Sequence, residues 1–330
     1  MTIDNHLILA YALDQHGGGQ ALPFDAITDI QPENRPVWLH FDGNSPATGD
    51  WLNTHSGLDS YVIESLLSQE TRPRCDVQDK GILLNLRGVN LNPGAKPEDM
   101  VSIRLWMDAS RVISVRFRRI LAVEDVKQQI QQGQGPLSTA HLVARLADRL
   151  TDRMGPVIDD LVDQLGDLEE AMLQGPELDG EEAASLRKQL IDSRHMSIRL
   201  SRYLAPQRHA LSSLSQYEGA WISEKVRGRF REIADRLTRI TEELDVLRER
   251  SMIVQDEMLH RSSQRMQKTM YLLTVVASVM LPLTFLTGLL GINVGGIPGA
   301  DSHWAFAVVV VLCVLVAAIE VWLLRRKRLF

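Results

Sequence analysis

Between Lys268 and Arg325 the chain contains no lysine or arginine, and only two acids, Asp301 and Glu320, fall in that interval. Two apolar blocks fill it, Tyr271 to Gly291 and Trp304 to Leu324. Each has about 21 residues, and at 1.5 Å rise per residue a helix of that length spans roughly 31 Å, one hydrocarbon thickness. Two adjacent transmembrane helices are therefore expected. A buried hairpin in a soluble core is the alternative, but such a hairpin rarely lacks a polar face over both arms.

The flanks set an orientation. Arg261, Arg265 and Lys268 precede the first block, and Arg325, Arg326, Lys327 and Arg328 follow the second. The connecting stretch, Ile292 to His303, carries no lysine or arginine. By the positive-inside rule both ends lie in the cytoplasm and the short loop lies outside. The opening MTIDNHLILAYALDQ has no basic region and no long apolar run, so it does not read as a signal peptide. Everything before Tyr271 is then expected in the cytosol.

Composition narrows what that body does. The 330 residues include 36 Lys+Arg against 42 Asp+Glu, with 45% hydrophobic residues. A hydrophobic fraction of that size argues against a disordered chain. The acidic balance argues against nucleic acid as a partner, since that needs a strongly basic surface. Two cysteines, Cys75 and Cys313, exclude a disulfide framework and a four-cysteine zinc site. No nucleophile–base constellation or acid pair can be assigned, so no enzyme is expected.

Residues 1–136 read as an α/β domain. Candidate strands are His6–Leu13, Val37–Phe41, Gly81–Val89, Val101–Met107 and Val112–Phe117, each bounded by turn residues. Helices are expected over Gly49–Gln69 and Val123–Gln132. Arg111, Arg116, Arg118 and Arg119 could form a polyanion site, but strand periodicity puts Arg116 and Arg118 on one face, and a solvated sheet face is the simpler reading.

Residues 137–270 read as helix. Leu142, Leu146, Leu150, Val157, Leu161, Leu165 and Leu168 recur at helical intervals. Gly155-Pro156 is an expected kink in this helix, Gly175-Pro176 breaks the run, and a second helix follows over Gly180–Ser215, with Pro206 inside it as an expected kink. Asp159, Asp160, Asp163, Asp167, Glu169 and Glu170 make the first helix acidic. A solvated face accounts for them, and a weak divalent-cation surface is the minority reading. From Ser223 no proline intervenes until Pro282, so one helix of about 68 residues, roughly 100 Å, is predicted to pass from charged to apolar sequence without a break. Bundling with copies of itself would support such a stalk.

Met270, Thr274, Ala277, Leu281, Thr284 and Gly288 follow a 4-3-4-3-4 step, the seam spacing of packed helices. Ordinary packing of small residues and the wall of a pore both fit that seam, and spacing alone favours packing.

Directly after the first block stands Gly291-Ile292-Asn293, followed by Val294-Gly295-Gly296-Ile297-Pro298-Gly299. Here the chain resembles the CorA-type divalent metal transporters, which carry Gly-Met-Asn at the outer end of the first of two C-terminal spans. Gly-Ile-Asn is the variant typical of the ZntB-type zinc transporters of that superfamily, and Tyr203-Leu204-Ala205-Pro206-Gln207-Arg208 also looks ZntB-like. The resemblance covers nearly the whole chain. It implies an α+β membrane protein: a cytosolic α/β domain, a long helical hairpin, and a stalk helix continuing into the first of two membrane helices, assembled as a homopentamer. It also implies a multi-pass protein of a bacterial inner membrane with both termini cytoplasmic.

On that model Gly291, Ile292 and Asn293 form the selectivity motif. A divalent cation holds its water tightly, and a ring of amide oxygens can accept hydrogen bonds from that water. The structural alternative for Asn293 is a helix C-cap. Thr284, Leu281, Ala277, Thr274, Leu273 and Met270 then face the conduit. The resemblance implies Zn2+ as cargo, with Ni2+, Cd2+ and Co2+ as further candidates, no bound cofactor, and proton-coupled uptake. The alternatives are a magnesium or cobalt channel, zinc efflux, and a non-conducting scaffold. Transport must use ion or proton gradients, since no G-x-x-x-x-G-K-[ST] loop is present.

Zinc does not follow from the residues themselves. Isoleucine offers no ligand, and zinc prefers His and Cys. The loop supplies His303 with Asp301 nearby as candidate cation ligands, though a solvated pair is the simpler reading. Asp256 and Glu257, on the stalk before the membrane, are candidate metal ligands or cation attractors if ringed around a pentamer. Cys313 reads as a small apolar residue. Glu320, the acid within a span, is expected to reach the Arg325–Arg328 cluster.

Overall fold

Residues 6–27, 35–174, 180–292, 299 and 302–326 are described in a computed structural model of the chain. It divides into two compact units, Met1–Val254 and Gln255–Phe330.

The first unit is built on a seven-stranded sheet: β1 (Leu7–Leu13), β2 (Gly19–Ala21), β3 (Val37–Asp42), β4 (Arg74–Gln78), β5 (Gly81–Gly88), β6 (Val101–Met107) and β7 (Arg111–Arg116). Their order is β2-β1-β3-β7-β6-β5-β4. β3 and β7 pair in parallel, Val37 opposite Arg111 through Asp42 opposite Arg116. The other neighbours are antiparallel. The central strands β3, β7, β6 and β5 are buried along nearly their whole length, as strands covered on both faces are.

One face carries α1 (Pro46–His55) and α2 (Ser60–Leu67). Leu39 and Phe41 of β3 and Ile113 and Val115 of β7 alternate toward Trp51, Leu52, Val62 and Leu66 of these helices in one buried cluster. The Phe41 and Trp51 rings lie 4.7 Å apart. The opposite face carries α3 (Leu121–Gln131), which packs on α4, and α4 (Thr139–Asp152), which packs on β5, β6 and β7. Ser138 caps α4, accepting a hydrogen bond from the His141 amide at 3.2 Å. On this face the β3–β7 pair holds a small polar knot, in which Trp38 Nε1 donates to Ser114 Oγ at 2.9 Å and His40 Nδ1 lies 2.8 Å from the same oxygen.

Three features depart from the sequence reading. The single helix expected over Gly49–Gln69 is two helices, because Gly57 adopts a left-handed φ of +61° and Asp59 starts a new helix by accepting from the Tyr61 amide. Two edge strands, β2 and β4, were not expected. They are short and half exposed, so they carry little apolar alternation. The arginine run at the end of β7 is not one solvated face. Arg111 pairs with Asp108 and Arg119 with Glu124, Arg116 is half-buried, and Arg118 lines a cavity described below.

α5 (Gly155–Gln174) follows α4 with Pro156 in its first turn, where a missing N–H is harmless. α6 (Gly180–Ser215) passes β4 and β5 with Pro206 inside it. α7 (Glu224–Leu290) is one helix of 67 residues. Its N-terminal part buries Phe230, Ile233, Leu237, Leu244 and Leu247. Leu161, Leu165 and Leu168 form the buried stripe of α5, which leaves Asp159, Asp160, Asp163 and Asp167 exposed. Arg236 of α7 bridges Asp148 and Asp152 of α4.

The second unit contains the rest of α7 and α8 (Ala305–Arg326). Both helices are long and apolar enough to cross a membrane. Large apolar side chains stand exposed over most of α7 here, with Leu273, Leu281 and Phe285 each more than 60% exposed, while Val275, Val279, Leu283 and Leu286 on the remaining face are half-buried. A helix apolar all round is stable only within lipid or among other helices.

Candidate functional site

The candidate conduit residues all lie on the C-terminal part of α7. Thr274, Ala277, Leu281, Thr284 and Gly288 fall on one stripe at steps of three and four. Thr274 Oγ1 donates to the Met270 carbonyl at 2.8 Å, and Thr284 Oγ1 to the Met280 carbonyl at 2.8 Å. A hydroxyl has one proton and two lone pairs. With the proton bonded one turn back, each threonine presents acceptor oxygen outward.

Thr287, absent from the seam reading, behaves alike. Its hydroxyl lies 3.0 Å from the Leu283 carbonyl and 3.2 Å from that of Thr284. The Thr284-x-x-Thr287 spacing was the signal available in the sequence. Pro282 sits in the same stretch and has no N–H to offer the Ser278 carbonyl.

The helix ends at Leu290, and the Gly291 amide donates to the Gly288 carbonyl at 3.2 Å. A Cβ on Gly291 would stand 2.9 Å from the Thr287 carbonyl oxygen, closer than side chains are found. Glycine is thus required where the turn closes. Ile292 follows, half exposed. Asn293 and Asp301 lie outside the described residues.

The remaining candidate ligands are scattered. Glu257 Oε1 accepts from Arg261 Nε at 2.6 Å on the same helix, so its charge is partly neutralised. Asp256 and His303 are exposed. Among the described residues no three His, Cys, Asp or Glu side chains come together as a metal cage. Glu320 Oε2 has no hydrogen-bond partner among the described residues, and Arg326 stands over the Trp322 ring, 5.2 Å from its centre.

An α/β unit, one unbroken helix of 67 residues, and a glycine-closed turn after the first of two helices long and apolar enough to cross a membrane define a two-span membrane protein of the metal-transporter class. The model of the CorA-like Mg2+ transporter protein family matches residues 33–326, and the chain belongs to that family. It is 43% identical over 325 residues to the divalent cation transporter CmaX of Pseudomonas aeruginosa, covering 98% of this chain and 96% of that one. It is 35% identical over 321 residues to the zinc transport protein ZntB of Yersinia pseudotuberculosis, covering 97% and 95%. Among solved structures, full-length CmaX superposes with a TM-score of 0.83 at 40% identity over 98% of both chains. The CorA magnesium transporter of Methanocaldococcus jannaschii shares the fold, with a TM-score of 0.80 at 17% identity over 96% of this chain and 97% of that one.

Proposed function

We propose that this chain carries divalent cations across a bacterial inner membrane as a homopentamer, with zinc as the preferred ion and protons as the coupled species. The observation that carries the reading is the Gly291-Ile292-Asn293 tripeptide at the C-terminal end of α7, after a stripe of small and hydroxyl-bearing residues. Five copies of that stripe around an axis would supply rings of acceptor oxygen from Thr284 and Thr274, separated by apolar rings of Leu281, Ala277, Leu273 and Met270. Asn293 would stand at the outer mouth and hold a cation by its water shell.

In this reading residues 1–136 and 137–270 are the cytosolic body and 271–291 and 304–324 are the spans. Residues 292–303 face outside and 325–330 return to the cytosol. Asp256 and Glu257 would gather cations at the inner mouth, with Asp301 and His303 at the outer one. Zinc is supported by the likeness to ZntB. The higher identity to CmaX favours a second reading, a divalent cation transporter without zinc preference.

Proteoliposomes with an imposed pH gradient separate these. Zinc flux that follows the gradient and is lost in Asn293→Ala is expected. Magnesium flux without zinc flux would reject the zinc reading. Thr284→Phe should block flux and leave the oligomer intact, and normal flux in that variant would place Thr284 away from the conduit.

A further inference from the structure

At the end of the sheet where β5 and β7 finish and β6 begins lies a cavity of about 610 Å³, wholly within the first unit. Five arginines line it: Arg87, Arg104, Arg118, Arg199 and Arg202. Arg199 and Arg202 come from one face of α6 together with Tyr203.

Two of these guanidinium groups are fixed. Arg104 is 1% exposed, and it donates through Nε to the Ser68 carbonyl at 2.9 Å, through Nη2 to the Gln69 carbonyl at 2.8 Å and through Nη1 to Ser102 Oγ at 2.9 Å. Arg87 donates through Nε and Nη2 to the Thr71 carbonyl. Each lies over an aromatic ring, Arg87 4.1 Å from the centre of Tyr203 and Arg104 4.5 Å from that of Phe117. Gln207 Oε1 accepts from the Arg87 amide at 2.6 Å, tying α6 to β5. The Tyr203–Arg208 stretch singled out in the sequence thus serves the Arg87 end of this cavity.

Four of the five charges have no ion-pair partner among the described residues. The hydrogen-bond partners of Arg87 and Arg104 are carbonyls and a hydroxyl, which satisfy N–H groups and leave the positive charge in place. Among the described residues no carboxylate lies within ion-pair distance of Arg87, Arg104, Arg118 or Arg202, and Arg199 reaches Asp99 at 3.4 Å. Burial, and then the neighbouring Arg87 charge, push the Arg104 pKa down to about 10, so the group keeps its positive charge at neutral pH. One further group points to the ligand. Glu98 lines the cavity, and its Oε2 is buried without a hydrogen-bond donor among the described residues.

We propose that this cavity binds a soluble phosphorylated metabolite that carries hydroxyl groups, of the nucleotide or sugar-phosphate class. Planar guanidinium forks match phosphate oxygens in pairs. Arg118 and Arg202, both exposed, with the fixed charges of Arg87 and Arg104 beside them, suit a ligand with several negative charges, and a hydroxyl supplies the donor that Glu98 lacks. The volume fits a small molecule. The role is binding, with no hydrolysis assigned, and it is independent of which cation the conduit carries.

The test is calorimetric titration of the full chain in detergent with ATP and with pyrophosphate, at low salt with EDTA present so that metal–nucleotide complexes do not report on the conduit. Saturable binding with one site per chain is expected, tighter for ATP than for sulfate. Arg118→Glu and Arg202→Glu, both at exposed positions, should each weaken it about tenfold or more. The proposal is overturned if neither probe binds, if sulfate binds as tightly as ATP, or if both charge reversals leave the affinity unchanged. It is equally overturned if those reversals break the oligomer, because the arginines would then be meeting a second copy of the chain.

Discussion

Arg250 of α7 and Glu169 of α5 meet through two hydrogen bonds, Nε to Oε1 at 3.0 Å and Nη2 to Oε2 at 2.5 Å. The carboxylate's hydrogen bonds hold the Arg250 pKa above its ordinary value. Both side chains are about one-third exposed, so water screens the pair. Glu169→Gln should therefore lower stability by only about 0.5–1 kcal/mol at low salt. The loss should shrink in 1 M salt, where the Debye length is about 3 Å. Denaturant unfolding at both salt concentrations checks this, and a salt-independent loss would assign the effect to packing.

Gly291 closes the turn after α7 against the Thr287 carbonyl. Gly291→Ala should impose strain of roughly 1–3 kcal/mol on that turn. Cation flux in proteoliposomes should fall, while helix content by circular dichroism and the oligomeric state stay unchanged. Full flux in this variant would show that the turn tolerates a side chain and that the glycine serves no steric purpose.

His40 of β3 is fully buried beside Ser114 of β7, and burial, then the Arg116 charge, push its pKa down to about 3. The fold therefore favours the neutral ring. Its contribution is fully present above the unfolded value of about 6.5 and is lost as pH falls from there toward 3. His141, half-buried near Arg145 and with a pKa pushed to about 4, acts in the same direction. Thermal unfolding followed from pH 7 to 4 should show a decline whose slope is shallower in His40→Gln, whatever the variant's stability at pH 7. Equal slopes would mean that the ring is not held neutral.

Much of the architecture was legible because its physical signals were strong. β5, β6 and β7 are apolar runs closed by turn residues. α7 announces itself by the lack of any proline between Ser223 and Pro282. The spans follow from missing charge. What escaped was whatever depends on contacts distant in sequence. β4 reads as polar, and it is a strand because β5 supplies its ladder, Arg74 opposite Asn85. Gly57 looks like one weak helix position until its left-handed backbone divides α1 from α2.

The candidate site was legible in part. The tripeptide and the seam stand in the sequence, and the stripe from Thr274 to Gly288 follows from helical spacing. The hydroxyl bonding of Thr274, Thr284 and Thr287 to their own helix needed coordinates. The arginine cavity was hidden for a further reason: its five side chains come from positions 87 to 202 and converge only when α6 packs along β5.

The threonines of α7 commit their hydrogens inward to the helix that bears them. If these threonines wall the conduit proposed above, a passing ion would meet their electron pairs rather than their hydrogens. Such a passage would discriminate by sign before it discriminates by size: chloride would find no hydroxyl donor, whereas a hydrated dication would find oxygens to accept from its water.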